Sequence, residues 1–391
     1  MQSDNDTPRQ ANGKRLIVFS DDWGRHPSSC QHLMKRFLSS HHVTWVNTIG
    51  MRPPRFDWLT VKRGFEKIGG WILPSHKQGE EDSEETNHVG PNPDVYDSKM
   101  WPWMSGKSHR AINRWLLTRQ LSELAKDATV LTTIPIVADL VDTLGAKRWV
   151  YYCVDDFSVW PGLSGDMLGQ MEDELLPKMD RIVAVSETLQ HSIAQRGYTS
   201  ELLSHGVDIE FWREAVGRPA DADFEAPVFL FWGVVDQRMN ADWILALAER
   251  MESGTILLLG PQQDPDPRLA ECSRVSMPGP VAYESLAGYA NLADVLIMPY
   301  IDAPVTRAMQ PLKLKEYLAT ERPVVATSLP SVEPWSDCLD AVDSIDEFIE
   351  HCFAAVNHSD TSARVSHLRE RLCSESWDAK ADRFAAWLDA N

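Results

Sequence analysis

The sequence of 391 residues lacks the signatures that would assign it a common chemistry. No G-x-G-x-x-G follows either of the two strand-like runs that open its halves, where the chain reads SDDWGRHPSS and GVVDQRMN. A dinucleotide dehydrogenase is therefore disfavoured. The absence of G-x-x-x-x-G-K-[ST] removes a P-loop kinase, and that of G-x-S-x-G and H-E-x-x-H removes the commonest hydrolase signatures. The six cysteines are scattered, with no C-x-x-C pair and no nearby histidine to complete a zinc set, so a reducing compartment is the simpler setting. Nothing approaches 18 consecutive apolar residues, and the first dozen are polar without the apolar core of a signal peptide. The expectation is a cytoplasmic chain that does not span a membrane. Positive charge is also scarce: 38 Lys and Arg against 57 Asp and Glu leave −19, which repels phosphate backbones and argues against nucleic-acid partners. A local basic site for a small anion is compatible with that balance.

What is present is a repeating alternation of short apolar runs with longer stretches of helical spacing. Arg15–Asp21, Val43–Asn47, Ala128–Pro135, Arg148–Asp156 and Arg181–Ser186 read as strands of a first half. Val228–Gly233, Thr255–Gly260, Asp294–Pro299 and Pro323–Thr327 read as strands of a second, with helices near 241–251, 283–292 and 311–319. Runs apolar on both faces suit parallel strands covered by helices. The predicted class is α/β, with two doubly wound, Rossmann-like domains facing a cleft at the carboxyl ends of their strands. The predicted boundaries are a disordered tail over 1–13, a first domain over 14–212, a polar linker over 213–226, a second domain over 227–375, and a C-terminal helix over 376–391 crossing back to the first domain. Two inserts interrupt the alternation. Met51–Trp71 holds five basic residues against two acidic ones, interleaved with Phe56, Trp58, Phe65 and Trp71, and suits either an anionic surface or a packed hairpin. Gly79–Asn92 is acidic and reads as a mobile loop.

The most informative stretch is Thr306–Thr327, TRAMQPLKLKEYLATERPVVAT. Pro311 suits the first helical position, and Leu312, Leu314, Tyr317 and Leu318 form an apolar stripe. Lys313 and Glu316, three apart, share a face of the first turns, where a helix N-terminus offers free N–H groups to an anion. A diphosphate there would meet Lys313, and Glu316 could accept from two ribose hydroxyls. A surface salt bridge between the two is the competing reading.

P-L-K-L-K-E-Y-L-A followed by R-P-V-V-A-T resembles the donor-binding helix and next strand of retaining GT-B glycosyltransferases of the family-four type, especially the teichuronic-acid-biosynthesis-like subgroup. Tyr152–Asp156, the Glu172 and Leu175 helix, Asp180–Ser186 with Leu189, Ser204–Asp208 with Phe211, Leu259–Pro261, Leu292–Asp294, Pro299–Tyr300 and Ser376–Trp377 resemble further landmarks in the same order. The resemblance implies that Glu316 is the second glutamate of an E-x7-E motif and holds the nucleotide ribose. Ala308 stands where the first would fall, so Arg307, Thr306 or the backbone N–H groups of Met309–Leu312 are left as substitutes. Val234 occupies the place of the family's diphosphate-binding arginine, with Arg238 near that of its lysine. The implied donor-binding set is Gly233, Arg238, Arg307, Lys313 and Glu316.

Asp155 and Asp156 end a strand at the edge where α/β sheets place ligands. The resemblance turns that edge toward the donor sugar and makes Asp155, then Asp156, the candidates for a hydroxyl contact or proton acceptance. One of the pair is expected to cap the following segment. Trp23 and Gly24 are expected to line the cleft, and His205 to fix a turn. The implied activity is a hexosyltransferase that moves a sugar from a nucleoside diphosphate to a glycan or lipid-linked hydroxyl acceptor in envelope or exopolysaccharide synthesis. It would retain configuration, use no metal or other cofactor, and touch the inner membrane face weakly through 51–71. The alternatives are a noncatalytic sugar- or nucleotide-binding protein with a degenerate site, and a sugar-nucleotide epimerase.

Overall fold

The computed structural model describes residues 14–24, 28–47, 92–214, 217, 219, 222–357 and 362–389. The tail over 1–13, the basic segment 51–71 and nearly all of the acidic stretch 79–92 lie outside the described residues, as do parts of the 213–226 linker.

The first unit is a seven-stranded sheet in the order β3-β2-β1-β4-β5-β6-β7, with every pairing parallel. Its strands are β1 (Lys14–Ser20), β2 (His41–Asn47), β3 (Asp94–Asp97), β4 (Thr129–Thr132), β5 (Arg148–Cys153), β6 (Arg181–Ala184) and β7 (Glu201–Leu202). Helices α1 (Ser29–Phe37), α2 (Lys107–Ala125), α3 (Gly165–Leu175) and α4 (Glu187–Gln195) connect them, whereas α5 (Ile209–Arg213), expected within the first domain over 14–212, packs through Trp212 into the core of the second unit. Residues Leu16–Phe19 are all buried, the two-faced burial that the continuous apolar run requires.

The second unit carries a six-stranded parallel sheet in the order β12-β10-β8-β13-β14-β15, and β9 pairs separately with β11. These strands are β8 (Val228–Trp232), β9 (Val235–Asp236), β10 (Thr255–Leu259), β11 (Gln262–Gln263), β12 (Val275–Gly279), β13 (Val295–Met298), β14 (Val324–Thr327) and β15 (Asp340–Val342). Its helices are α6 (Ala241–Arg250), α7 (Arg268–Glu271), α8 (Leu286–Leu292), α9 (Pro304–Ala308), α10 (Leu312–Ala319), α11 (Ile345–Asn357) and α12 (Ser362–Cys373). In each sheet the strand order reverses beside its first strand, between β1 and β4 and between β8 and β13. Such switch points open a crevice at the carboxyl ends.

The last helix, α13 (Trp377–Asp389), packs against α1. Trp377, Ala381, Phe384 and Leu388 are buried in the core of the first unit. His32 of α1 stacks on Trp377 at 4.8 Å, and Arg36 pairs with Asp378 at 3.1 Å. Among the described residues no helix is long and apolar enough to cross a membrane.

Candidate functional site

On the second unit the site begins where β8 ends. Gly233 follows Trp232 with φ +131°, a conformation that side chains rarely adopt. Its N–H donates to Leu259 O at 2.8 Å, and Lys313 Nζ lies so close that a Cβ on Gly233 would sit 2.2 Å from it. Lys313 Nζ donates to Tyr300 Oη at 2.6 Å and lies 4.0 Å from the centroid of the Phe231 ring. No carboxylate pairs with it among the described residues, so its charge is open to an anion.

The helix that carries Lys313 starts one residue later than the sequence suggested. Pro311 is the N-cap, with ψ 124°, and α10 runs from Leu312. Leu314, Tyr317 and Leu318 are buried, as the stripe requires, while Leu312 is half-buried. Glu316 makes no surface salt bridge with Lys313. It is buried, and its Oε2 accepts from Trp232 Nε1 at 2.9 Å while Oε1 accepts from Tyr283 Oη at 3.4 Å. Aromatic rings enclose it: Trp232 stacks on Trp212 at 5.0 Å and Tyr283 on Phe211 at 4.9 Å. Burial pushes the Glu316 carboxyl up to about 6, against the hydrogen bond from Trp232 and the Lys313 charge. Each of its oxygens keeps a lone pair for a further donor.

Arg238 reaches the cleft as expected, but already paired. Asp236 holds its guanidinium at 3.0 Å on Nε and 2.7 Å on Nη2, a two-pronged pairing that neutralises most of its charge. The guanidinium also lies 4.7 Å over the ring of Trp160, which belongs to the first unit, so the two halves touch here. Arg307 does not join the group. Its guanidinium is half-exposed and paired with Asp302 at 2.9 Å, and it lines a separate groove of about 830 Å³ with Thr188, His191, Tyr198 and Pro330. Thr306 is turned inward, with its Oγ1 donating to Ile301 O. Ala308, at the place of the missing glutamate, packs into the core of the first unit, and its carbonyl accepts from Ser186 Oγ at 2.9 Å. A small residue there permits the two units to dock.

Across the cleft, Asp155 follows β5 and is half-buried. Burial pushes its carboxyl up to about 7; the Arg238 charge opposes this, and Asp21 and Asp156 add to it. Asp156 has a different task. Its Oδ1 accepts from Ser158 N at 3.0 Å and Ser158 Oγ at 2.5 Å, which closes the next turn, so of the two only Asp155 faces Arg238. Trp23 packs edge-on against Trp45 at 4.8 Å, and Gly24 has open space where a Cβ would be. Both follow β1 at the switch point.

Below the cleft sits a buried charge cluster that local spacing does not reveal. Lys315 and Lys380, both fully buried, share Glu375 and the Ser204 hydroxyl, with Lys315 also donating to His205 O. Burial lowers the Lys315 ammonium to about 8, partly offset by Glu375. His205 is buried and held neutral, its pKa lowered to about 3 by burial and by Lys315 and Lys380, while hydrogen-bonding the backbone of Gln310. It thus does more than fix a turn, because it abuts the segment leading into α10. Trp160, Asp236, Tyr283, Lys315, Glu375 and Lys380 are the site residues that sequence reasoning missed, while Tyr300 and Ser204 entered only as landmarks. The nearest signals were Lys315 inside PLKLKEY and Glu375 beside the Ser376–Trp377 landmark.

Two Rossmann-like parallel sheets apposed at their carboxyl ends define the GT-B fold, and the chain has that fold. Residues 226–357 match the family model described as Glycosyl transferases group 1. The chain is 29% identical over 170 residues, 42% of its length, to TuaH of Bacillus subtilis (strain 168), whose name assigns it to teichuronic acid biosynthesis as a glycosyltransferase. The match spans about two fifths of that relative, 41% of its length. Among solved structures it resembles sucrose-phosphate synthase from Thermosynechococcus elongatus, at TM-score 0.67 and 14% identity over 96% of this chain and 98% of that one. HepE of Anabaena in complex with UDP-glucose aligns at TM-score 0.66 and 13% identity, over 96% and 100% of the two chains. An E. coli trehalose-6-phosphate structure bound with UDP-2-fluoro glucose aligns at 0.68 and 10%, over 97% and 99%.

Proposed function

We propose that the chain is a retaining glycosyltransferase that moves a hexose from a nucleoside-diphosphate sugar to a hydroxyl acceptor, a glycan or a lipid-linked glycan, in envelope or exopolysaccharide synthesis. The observation that carries this reading is the Lys313 ammonium, unpaired among the described carboxylates, held against the Gly233 turn at one switch point, with the Asp155 carboxyl at the first unit's edge of the cleft. The group 1 match over 226–357, the name of TuaH and the UDP-sugars in the structural relatives support it.

In the proposed reaction the anomeric C–O bond breaks and its electron pair leaves with the nucleoside diphosphate. Lys313 and the backbone N–H groups entering α10 stabilise that growing charge, and Arg238, largely spent on Asp236, orients rather than neutralises. The acceptor oxygen bonds to the anomeric carbon on the face the diphosphate leaves, and its proton passes to the departing phosphate oxygen. Asp155 holds a hydroxyl of the sugar or acceptor, and Glu316 the ribose. No step requires a metal, so turnover is expected to survive EDTA; loss on chelation with recovery on Mn2+ would refute that part. The test of the whole is a calorimetric panel of UDP-, GDP-, ADP- and dTDP-sugars, followed by release of the nucleoside diphosphate and the anomeric configuration of the product by NMR. Ala308, Val234 and the neutralised Arg238 favour a second reading, a noncatalytic sugar-nucleotide-binding protein. It predicts binding without any release of nucleoside diphosphate.

A further inference from the structure

The strongest unassigned surface is the outer face of α2, on the first unit. From Ser98 to Ser122 the chain has no acidic residue, although Asp and Glu supply 57 of 391 residues overall, so a stretch of this length would ordinarily carry three or four. The same stretch holds Lys99, Lys107, Arg110, Arg114 and Arg119. The fold uses only one of these cations. Arg110 is taken by Asp139 at 2.7 Å and by Glu174, which anchors the helix to the body of the unit. Lys99, Lys107, Arg114 and Arg119 are exposed and form no ion pair among the described residues.

The helix buries Asn113, Leu117, Leu121 and Ala125, one residue every four, along a single stripe. Lys107, Ala111, Trp115 and Arg119 therefore lie opposite the stripe, with Ile112 and Arg114 exposed on the two flanks of that face. Trp115 is 60% exposed and Ile112 40%, and Trp115 is the most exposed large hydrophobic side chain among the described residues. The Arg119 guanidinium lies 5.9 Å from the Trp115 ring centroid, so the apolar and cationic groups of this face form one patch. Nineteen residues of helix give a face about 28 Å long. A convex helix face of this kind is a poor receptacle for a peptide or small molecule. Its chemistry, a protruding indole with Arg119 beside it and further exposed cations along the same helix, suits contact with an anionic membrane interface.

We propose that α2 docks this face on an anionic lipid bilayer, with Trp115 and Ile112 entering the headgroup region and Lys107, Arg114 and Arg119 against the lipid phosphates. The contact is peripheral and reversible: three or four cations are opposed at longer range by a chain of net −19. It does not depend on the sugar-transfer reading, and its residues are other than those of segment 51–71.

The test is co-sedimentation of the full chain with vesicles of phosphatidylcholine alone and of phosphatidylcholine with phosphatidylglycerol, at low and high salt. Binding is expected only to the anionic vesicles and to fade with salt. Removing two charges with Arg114→Gln/Arg119→Gln should weaken it about 30-fold, and Trp115→Ala should weaken it further at constant charge. These side chains are exposed and make no hydrogen bond among the described residues, so the variants keep the fold, which circular dichroism checks. The control Arg250→Gln/Arg268→Gln removes the same charge from the second unit and should leave binding unchanged. Equal recovery on neutral and anionic vesicles would overturn the proposal. So would anionic binding that ignores the α2 substitutions, since attachment would then reside elsewhere, or a loss equal to that of the control pair, which would make it a matter of net charge. Undiminished binding by Trp115→Ala would also overturn it, because the indole would then lie outside the interface.

Discussion

Replacing Asp155 by Asn should stabilise the protein while impairing its turnover. In the folded chain burial pushes the wild-type carboxyl from 3.8 up to about 7; the Arg238 charge offsets part of this, and Asp21 and Asp156 add to it. A folded-state value above the unfolded one means that the native chain holds the proton more tightly. The stability this confers is full below pH ~4 and is lost as pH rises through ~7. A shift of about three units corresponds to ~4 kcal/mol; the half-buried position exposes the group to solvent screening, and halving the figure leaves ~2 kcal/mol. Asn has the same shape and no charge to desolvate, and Arg238 retains Asp236 as its partner. The difference in unfolding free energy between Asp155→Asn and the parent, from urea titrations over pH 4 to 8, should grow with pH by ~2 kcal/mol and then level off near pH 8. Turnover should fall at least tenfold if Asp155 holds a reacting hydroxyl. A stability difference independent of pH would refute the desolvation argument, and full activity would remove Asp155 from the site.

The same reasoning extends to three other positions. Lys313→Met should weaken nucleoside-diphosphate binding by ten- to a hundredfold in calorimetry, because it removes an unpaired charge, and should leave the melting temperature nearly unchanged; unaltered affinity would exclude it from the donor site. Glu316→Gln retains an acceptor for Trp232 Nε1 and should fold normally with weaker nucleotide binding, whereas Glu316→Ala orphans the buried Trp232 Nε1 and the half-buried Tyr283 Oη and should cost about 1 to 3 kcal/mol in urea melts; equal stability of the two would refute the burial argument. Glu375→Gln strands two buried ammonium groups and should destabilise by about 3 to 5 kcal/mol, with partial rescue when Lys315→Met is added; a loss under ~1 kcal/mol would show the cluster to be hydrated.

The alternation of sheet and helix was legible because each strand, buried on both faces, had to be written as a continuous apolar run, as in Val228–Trp232. Lys313 and Glu316 were legible as neighbours on a helix, since their spacing is local. What their side chains do was not. Glu316 finds Trp232 and Tyr283 across 84 and 33 residues, and Lys313 finds Tyr300 instead of a carboxylate. Arg238 reads in the sequence as a cation for the diphosphate, but its pairing with Asp236 depends on a turn after β9 that carries no periodic signal. Arg307 reads as a donor contact because it adjoins Ala308, the place of the missing glutamate; α9 instead turns it to Asp302 and a separate groove. Asp155 and Asp156 are adjacent and chemically identical, and only the fold of the following turn, closed by Ser158, divides their labour.

The path of α13 bears on how the protein can be taken apart. Its buried residues Trp377, Phe384 and Leu388 complete the core of a unit whose strands ended at Leu202, nearly two hundred residues upstream in the case of Leu388. A nick near residue 226 would therefore not release two self-sufficient halves. The upstream fragment would be left with a bare apolar trough along α1, and the downstream fragment would trail a sticky amphipathic helix. The two pieces should instead find each other in solution, so that a protein cleaved at this seam behaves as a noncovalent complementation pair.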